Sequence, residues 1–243
     1  MIITTLRSFI FNIAFFMWSM LSSLIFAPLF FISTKAALKS GWPWAYGVLL
    51  LARVLCGIRY EIRGREYITD GPVFYASKHQ SAWDTAIFWK LLKEPAFILK
   101  RELLRIPLWG WYLWRMQMIA IDRSAGGAGL KDMIRQSKIA LSNGRPIIIF
   151  PEGTRTKPGA PPNYHPGILA LYNQLKIPVI PVALNSGMYW SKNAFNKHPG
   201  TIIIEFLPPI APGLSKEDFR ARLQSAIENA SQKLQDEANN SNP

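Results

Sequence analysis

The sequence predicts an α/β protein: a three-layer αβα domain around a central mixed, largely parallel sheet, preceded by an N-terminal membrane-embedded helical segment. Three observations predict it. Short apolar runs bounded by turn residues alternate with amphipathic stretches along most of the chain, the pattern of strand–helix–strand units. From Ser8 to Thr34 no residue is charged, with Arg7 before and Lys35 after, so this stretch stands outside the alternation. The 243 residues, 49% hydrophobic and 13% aromatic, suffice for one substantial core and lack the composition of a disordered chain. The chain divides into a helical anchor over 1–56, an α/β domain over 57–238 and a polar tail over 239–243.

In the anchor, a helix from Phe9 to Ile32 is about 36 Å long against a hydrocarbon core of about 30 Å. Pro28 adds a kink or a point of return. A second apolar stretch, Trp42 to Leu55, is shorter than a span and edged by Trp42, Trp44 and Tyr46, ring types that favour the headgroup level. Two arrangements fit: one crossing helix, or a pair of helices inserted in one leaflet as a hairpin. No small-residue cleavage pattern closes the apolar run, which argues against a signal peptide.

Beyond the anchor, Tyr60–Arg63 predicts an edge strand, Pro72–Ala76 a buried strand, and Trp83 to about Lys93 a helix. Strands follow at Pro95–Leu99 and Met116–Ile121. Gly126-Gly127-Ala128-Gly129 reads as loop before a helix from Leu130 to Ser142, since it lacks the lysine and spacing of a phosphate-binding P-loop. Asn143-Gly144 stops that helix. Next come a strand at Ile147–Phe150, a helix near Ile168–Leu175, strands at Val179–Leu184 and Thr201–Leu207, and an amphipathic helix from Ser215 to about Ala238.

Twenty-eight basic against 15 acidic residues give a net charge of +13, which points to an anionic partner: phospholipid headgroups, a phosphorylated substrate or nucleic acid. Nucleic acid fits worst, because the charge is spread and the anchor ties the chain to a bilayer. One cysteine, Cys56 in an apolar run, excludes an internal disulfide and reads as a small buried hydrophobe. Three separated histidines give no metal-ligand spacing, and His165 and His198, each followed by Pro-Gly, read as loop residues. The tryptophans, among them Trp109, Trp111 and Trp114, fit core and membrane-interface contacts.

The chemistry-bearing stretch is Lys78-His79-Gln80-Ser81-Ala82-Trp83-Asp84. In a continuous helix, residues five apart lie about 140° from each other, so His79 and Asp84 meet only if His79 lies in the turn before the helix. A strand ending near Ala76 and a helix starting near Trp83 give that geometry. Asp84 then orients one ring nitrogen and leaves the other as a base. A second reading of the same residues is a capping box, Ser81 with Asp84 three positions on, in which both serve the backbone. Two other strands are also followed by charged residues. After Phe150 comes Pro151-Glu152-Gly153-Thr154-Arg155, where Gly153 permits close approach of a ligand and Arg155 offers a planar fork for phosphate. After Leu99 comes Lys100-Arg101, opening a basic segment that runs to Gly110.

Together these residues resemble the glycerolipid acyltransferase family of the 1-acylglycerol-3-phosphate acyltransferase type. His79 to Asp84 looks like its H-x4-D block, Lys100 to Gly110 like the second, Phe150 to Arg155 like F-P-E-G-T-R, and Ile177-Pro178-Val179-Ile180-Pro181-Val182 like the fourth. The resemblance spans about residues 60 to 190. It implies transfer of a fatty acyl group from a thioester carrier, acyl-CoA or acyl carrier protein, to the sn-2 hydroxyl of 1-acylglycerol 3-phosphate (lysophosphatidic acid), giving phosphatidic acid. No cofactor or metal is implied. His79 would be the base and Asp84 its partner; Lys100, Arg101 and Arg155, with Glu152, Gly153 and Thr154 shaping the pocket, would hold the acceptor's phosphate. Ile177, Pro178, Val179 and Pro181 would line the acyl chain's path. Lys78 stands where the family often has asparagine, and sets a positive charge beside the imidazole or against a phosphate. With the basic excess after residue 35, the resemblance implies a bacterial inner-membrane protein whose catalytic domain faces the cytoplasm.

Another lysolipid or glycerol 3-phosphate as acceptor keeps the same chemistry. A hydrolase, in which His79 activates water, keeps the site and changes the outcome. A basic protein that binds anionic lipid without catalysis is the alternative of another class.

Overall fold

The computed structural model describes residues 2–69 and 71–241, with the side chain of Ser241 left out. Seven strands form one sheet in the order β1-β7-β6-β2-β5-β3-β4: β1 (Ile58–Arg63), β2 (Phe74–Ser77), β3 (Ala96–Lys100), β4 (Ile119–Ile121), β5 (Ile147–Ile149), β6 (Val179–Leu184) and β7 (Gly200–Phe206). The five strands from β6 to β4 are mutually parallel; β7 runs antiparallel to β6, and β1 pairs parallel with β7 at the edge. The sheet is therefore mixed and largely parallel, as predicted. Ile147, Ile148, Val179, Val182 and Leu184 are wholly or almost wholly buried, because helices cover both faces of these strands.

The helices are α1 (Ile2–Ile32), α2 (Thr34–Leu38), α3 (Gly41–Cys56), α4 (Trp83–Leu91), α5 (Trp109–Arg115), α6 (Gly126–Ser142), α7 (Gly167–Leu175) and α8 (Lys216–Ser241). From the adjacent strands β2 and β5 the chain departs in opposite directions, through α4 to β3 and through α7 to β6. Right-handed crossovers then place α4 and α7 on opposite faces, leaving a crevice at the strands' carboxyl ends. One core layer joins Phe11, Val48, Trp83, Phe88 and Phe97; the other joins Met133, Ile168, Leu171, Phe219, Leu223 and Ile227. In α8 the serine before the helix, Ser215, accepts from the Asp218 amide at 3.0 Å as an N-terminal cap.

The strand predicted over Met116–Ile121 begins only at Ile119, and three other predicted elements change. The glycine run at 126–129 is the first turn of α6, where a Cβ on Gly129 would lie 2.1 Å from the Asp122 carbonyl oxygen; Gly129 serves close packing. The helix α5, read only as the end of a basic segment, is set by Trp109, Leu113 and Arg115. Residues 239–241 of the predicted tail belong to α8, and 242–243 lie outside the described residues.

The N-terminal helix α1 is inverted relative to a helix of a soluble core. Its buried residues are Ser8, Phe11, Ser19, Ser22 and Ser23, while Phe9, Ile13, Phe16, Met17, Met20 and Leu24 are exposed. Small polar side chains face the protein and large apolar ones face out, which suits a lipid exterior and not water. The same outward face continues along α3 through Trp42, Tyr46, Leu50 and Val54, and along α5 through Trp111 and Trp114. Two indole N–H groups tie the helices: Trp18 donates to the Trp44 carbonyl at 2.9 Å and Trp44 to Ser19 Oγ at 3.1 Å.

Both ends of α1 also touch the α/β domain. At its start, the Lys197 amide donates to Ser8 Oγ at 2.9 Å and Phe11 packs edge-on against Trp190. At its end, Arg115 donates to the Phe30 carbonyl at 2.7 Å and Thr34 Oγ1 at 2.8 Å, satisfying acceptors where the helix stops. Tyr112 donates to the Ser23 carbonyl at 2.6 Å, one residue before the carbonyl whose partner Pro28 removes.

Candidate active site

His79 lies in the turn between β2 and α4, as the spacing requires. Its Nδ1 is 2.8 Å from Asp84 Oδ2, and Asp84, in the first turn of α4, is fully buried. The Gln80 and Ser81 amides donate to the same oxygen at 2.8 and 2.9 Å, and Ser186 Oγ donates to Oδ1 at 2.6 Å. The two readings of this stretch are thus one structure. Asp84 satisfies the helix-end amides and steers the imidazole at once, while Ser81 Oγ accepts from the Trp83 amide at 3.2 Å. Ser81 is buried, with its hydroxyl committed to the amide that opens α4.

The imidazole stacks on Phe150 with ring centres 3.8 Å apart and planes 14° from parallel, so its plane is fixed from one side by packing and from its edge by Asp84. Its backbone carbonyl accepts from the Thr156 amide at 2.8 Å. With Nδ1 engaged by the carboxylate, Nε2 is the nitrogen available as a base.

Behind the imidazole lies a buried ionic cluster. Lys78 Nζ reaches Glu152 Oε1 at 2.9 Å and Glu228 Oε2, on α8, at 2.8 Å; Tyr164 donates to Glu228 Oε1 at 2.9 Å, and Thr156 to Glu152 Oε2 at 3.0 Å. Burial pushes the Glu152 carboxyl up, opposed by Lys78 and Thr156. Burial, with the charge of Glu228, pushes the Tyr164 phenol up and keeps its proton for donation. Two expectations are corrected. Lys78, 3% exposed, points beneath the site and not toward imidazole or phosphate. Glu152 is likewise buried and lines no part of the cleft: a carboxylate held by lysine is stable where one facing a phosphate would repel it.

A cleft of about 890 Å³ opens over His79. Its apolar wall includes Phe15 of α1, Trp44 of α3, Trp89, Phe97, Leu113 and Met118; its cationic wall carries Lys100, Arg123 and Arg155, with His165, Gly153 and Thr154 beside them. Of the predicted phosphate ligands, Lys100, Gly153, Thr154 and Arg155 therefore line the cleft. Arg101 does not: its guanidinium pairs with Asp122 at 3.2 Å and faces a separate hollow on the outer side of β4. Neighbouring residues at a strand end project to opposite faces, and Lys100 holds the inner one.

Arg123, missed in the sequence, takes the place expected of Arg101. Its Nη2 donates to the Gly153 carbonyl and its Nη1 to His165 Nε2, both at 3.2 Å. Gly153 has φ +60°, and a Cβ there would sit 1.9 Å from Arg123 Nη2, so the glycine makes room for the guanidinium. The signal existed: Asp122-Arg123 follows the Ile119–Ile121 strand just as Lys100-Arg101 follows its own. Ser186, two residues past the end of β6, carried no comparable signal.

His165, read as a turn residue, lines the cleft. Burial, then the charges of Arg123 and Lys100, hold its pKa below the ordinary histidine value. Its neutral ring therefore accepts from Arg123 at neutral pH. The sign follows: the ring's contribution to stability is complete above its unfolded value of about 6.5 and is lost as pH falls through the lower folded value. In an NMR titration His165 is expected to titrate below about 6.5, and inorganic phosphate is expected to raise that value by neutralising its cationic neighbours.

The predicted acyl path through the fourth block is also corrected. Val179 and Pro181 are buried residues of β6, paired with Phe74 and Ala76 of β2, and none of Ile177, Pro178, Val179 or Pro181 lines the cleft. The strand is central, not near an edge. Val179 exchanges two backbone bonds with Ile210, and the Pro181 carbonyl accepts from Leu207, so Pro181 sits where β7 has left the ladder.

The family model for acyltransferases matches residues 59–185. The 1-acyl-sn-glycerol-3-phosphate acyltransferase of Pseudomonas aeruginosa is 41% identical over 165 residues, 68% of this chain and 64% of that protein. The mouse 1-acyl-sn-glycerol-3-phosphate acyltransferase alpha is 32% identical over 183 residues, 73% of this chain and 64% of that protein. The chain thus spans just under two thirds of the length of these relatives. Among solved structures, the 1-acyl-sn-glycerophosphate acyltransferase PlsC from Thermotoga maritima has the same fold, with a TM-score of 0.77, 21% identity, and coverage of 96% of this chain and 98% of that one.

Proposed function

The chain belongs to the acyltransferase family, and from that premise we propose that it transfers a fatty acyl group from a thioester to the sn-2 hydroxyl of 1-acylglycerol 3-phosphate, giving phosphatidic acid. The observation that carries the reading is the cleft itself: one imidazole, held by a buried carboxylate, between an apolar wall and a cationic one. The names of the Pseudomonas and mouse relatives, both 1-acyl-sn-glycerol-3-phosphate acyltransferases, support the choice of acceptor.

Lys100, Arg123 and Arg155 hold the acceptor's phosphate, and its acyl chain lies against Phe97, Leu113 and Met118. His79 Nε2 removes the hydroxyl proton as the oxygen attacks the thioester carbonyl carbon, and Asp84 stabilises the imidazolium. The tetrahedral adduct collapses with cleavage of the C–S bond. The thiolate leaves and takes up the proton from the imidazolium, so the enzyme returns to its starting state without a covalent intermediate or a bound cofactor.

The membrane arrangement is a hairpin of α1 and α3 in one leaflet. Thirty-one residues make α1 about 46 Å long, yet both its ends contact the domain, which a helix standing across a bilayer with the domain on one side cannot do. We place it on the cytoplasmic leaflet of a bacterial inner membrane, a reading that the basic excess supports.

The test is product analysis with purified protein in detergent, a long-chain acyl-CoA or acyl carrier protein as donor, and 1-acylglycerol 3-phosphate as acceptor. Phosphatidic acid is expected, with thiol release dependent on acceptor. Free fatty acid released equally without acceptor would instead identify a hydrolase, and preferred acylation of glycerol 3-phosphate would move the acceptor.

A further inference from the structure

The proposed reaction brings two anionic substrates together, and the cleft's cations on the Lys100 and Arg123 side serve only one of them. On the other side of Arg155 lies a second hollow of about 760 Å³, lined by Arg155, Lys157, Ser191, Lys192, Asn193 and Ala194. Arg155 lines both spaces, which sets the hollow beside the reaction site. Three cations face it, no carboxylate lines it, and Arg155 and Lys157 form no ion pair among the described residues.

The hollow is also built to hold its shape. Lys192 Nζ donates to Thr154 Oγ1 at 3.1 Å, tying the far rim to the Glu152–Arg155 turn. Beneath that rim, buried Lys197 donates to the Ala194 carbonyl at 3.2 Å, the Phe195 carbonyl at 2.9 Å and Asn12 Oδ1 at 2.6 Å. The loop at 191–197 is thereby fastened to α1, and Lys192 is held on it by its bond to Thr154. Preorganised cations lose less on binding an anion than mobile ones do.

We infer that this hollow, through Lys157 and Lys192 with Arg155 shared between it and the acceptor's phosphate, binds the clustered phosphates of a coenzyme A donor, the adenosine 3′-phosphate and 5′-diphosphate. The inference rests on the acyl-transfer reading. A small concavity with three cations and the polar side chains of Ser191 and Asn193 matches a nucleotide with several phosphates in one place. An acidic carrier protein would spread its charge across a much wider surface than these six residues.

The test uses the full chain in detergent micelles with Lys157→Gln and Lys192→Gln combined. Calorimetric titration with free CoA, which involves no turnover, is expected to show binding weakened by roughly tenfold. The KM for a long-chain acyl-CoA is expected to rise by a similar factor while the KM for 1-acylglycerol 3-phosphate stays constant. A 3′-dephospho donor, which keeps the 5′-diphosphate, should respond less to the substitutions than the full donor does. Unchanged CoA affinity overturns the inference. So does a rise confined to the acceptor's KM, which would assign the hollow to the acceptor, or a loss confined to binding of anionic vesicles, which would make it a headgroup contact. A greater loss with acyl carrier protein than with acyl-CoA would assign it to a protein donor. Because CoA binding is read without acyl transfer, failure of this inference and failure of the proposed activity appear in separate measurements.

Discussion

Replacing His79 by alanine is expected to lower kcat for acyl transfer by about 10²–10⁴-fold, with little change in thermal stability or in association with vesicles. The ring makes one side-chain bond, to Asp84, and a stacking contact with Phe150, whereas its backbone carbonyl, which bonds Thr156, is retained in alanine. Loss of rate without loss of membrane binding separates catalysis from lipid capture. If transfer persisted at the parental rate, the base would have to be another group. Asp84→Asn is expected to lose rate as well, but with a stability cost, because two amides and the Ser186 hydroxyl converge on that carboxylate.

The second large effect concerns Lys78. Removing its ammonium as Lys78→Met leaves Glu152 without its cation inside the protein and Glu228 with only Tyr164. Breaking a buried pair in this way costs about 3–5 kcal/mol. Chemical denaturation should report that loss. Adding Glu228→Gln to Lys78→Met is expected to recover part of it, since one of the two stranded carboxylates is then gone. Activity should fall further than stability alone predicts, because Glu152 holds Thr156, and Thr156 holds the carbonyl of His79. A Lys78→Met protein as stable as the parent would show that the cluster is dispensable.

Much of this was legible in the chain because local chemistry constrains it. A histidine and an aspartate five apart cannot share a helix face, so their pairing demanded a turn followed by a helix, and the structure has both. Ile147–Ile149 and Val179–Leu184 were readable as buried strands from uninterrupted apolar runs. Other features depend on directions that sequence spacing does not carry. Lys100 and Arg101 are adjacent basic residues at one strand end, and only the register of β3 decides which faces the cleft. Lys78 next to His79 looked like part of the reaction site because its partners, Glu152 and Glu228, lie 74 and 150 positions away. The apolar fourth block had two roles open to it, core or lining. Coverage of β6 on both faces made it core, and the lining came instead from α1, α3, α4, β3 and α5.

The position of Phe15 and Trp44 in the wall of the cleft bears on how turnover is limited. They belong to the same two helices whose outer sides are dressed for hydrocarbon, so a fatty tail can slide sideways from the bilayer to the imidazole without wetting. Pulling about sixteen carbons through water would cost on the order of 12 kcal/mol at about 0.8 kcal/mol per methylene, a barrier this doorway removes in both directions. Supply and departure then become two-dimensional diffusion, and velocity should track the mole fraction of acceptor in the surface, not its concentration in the tube.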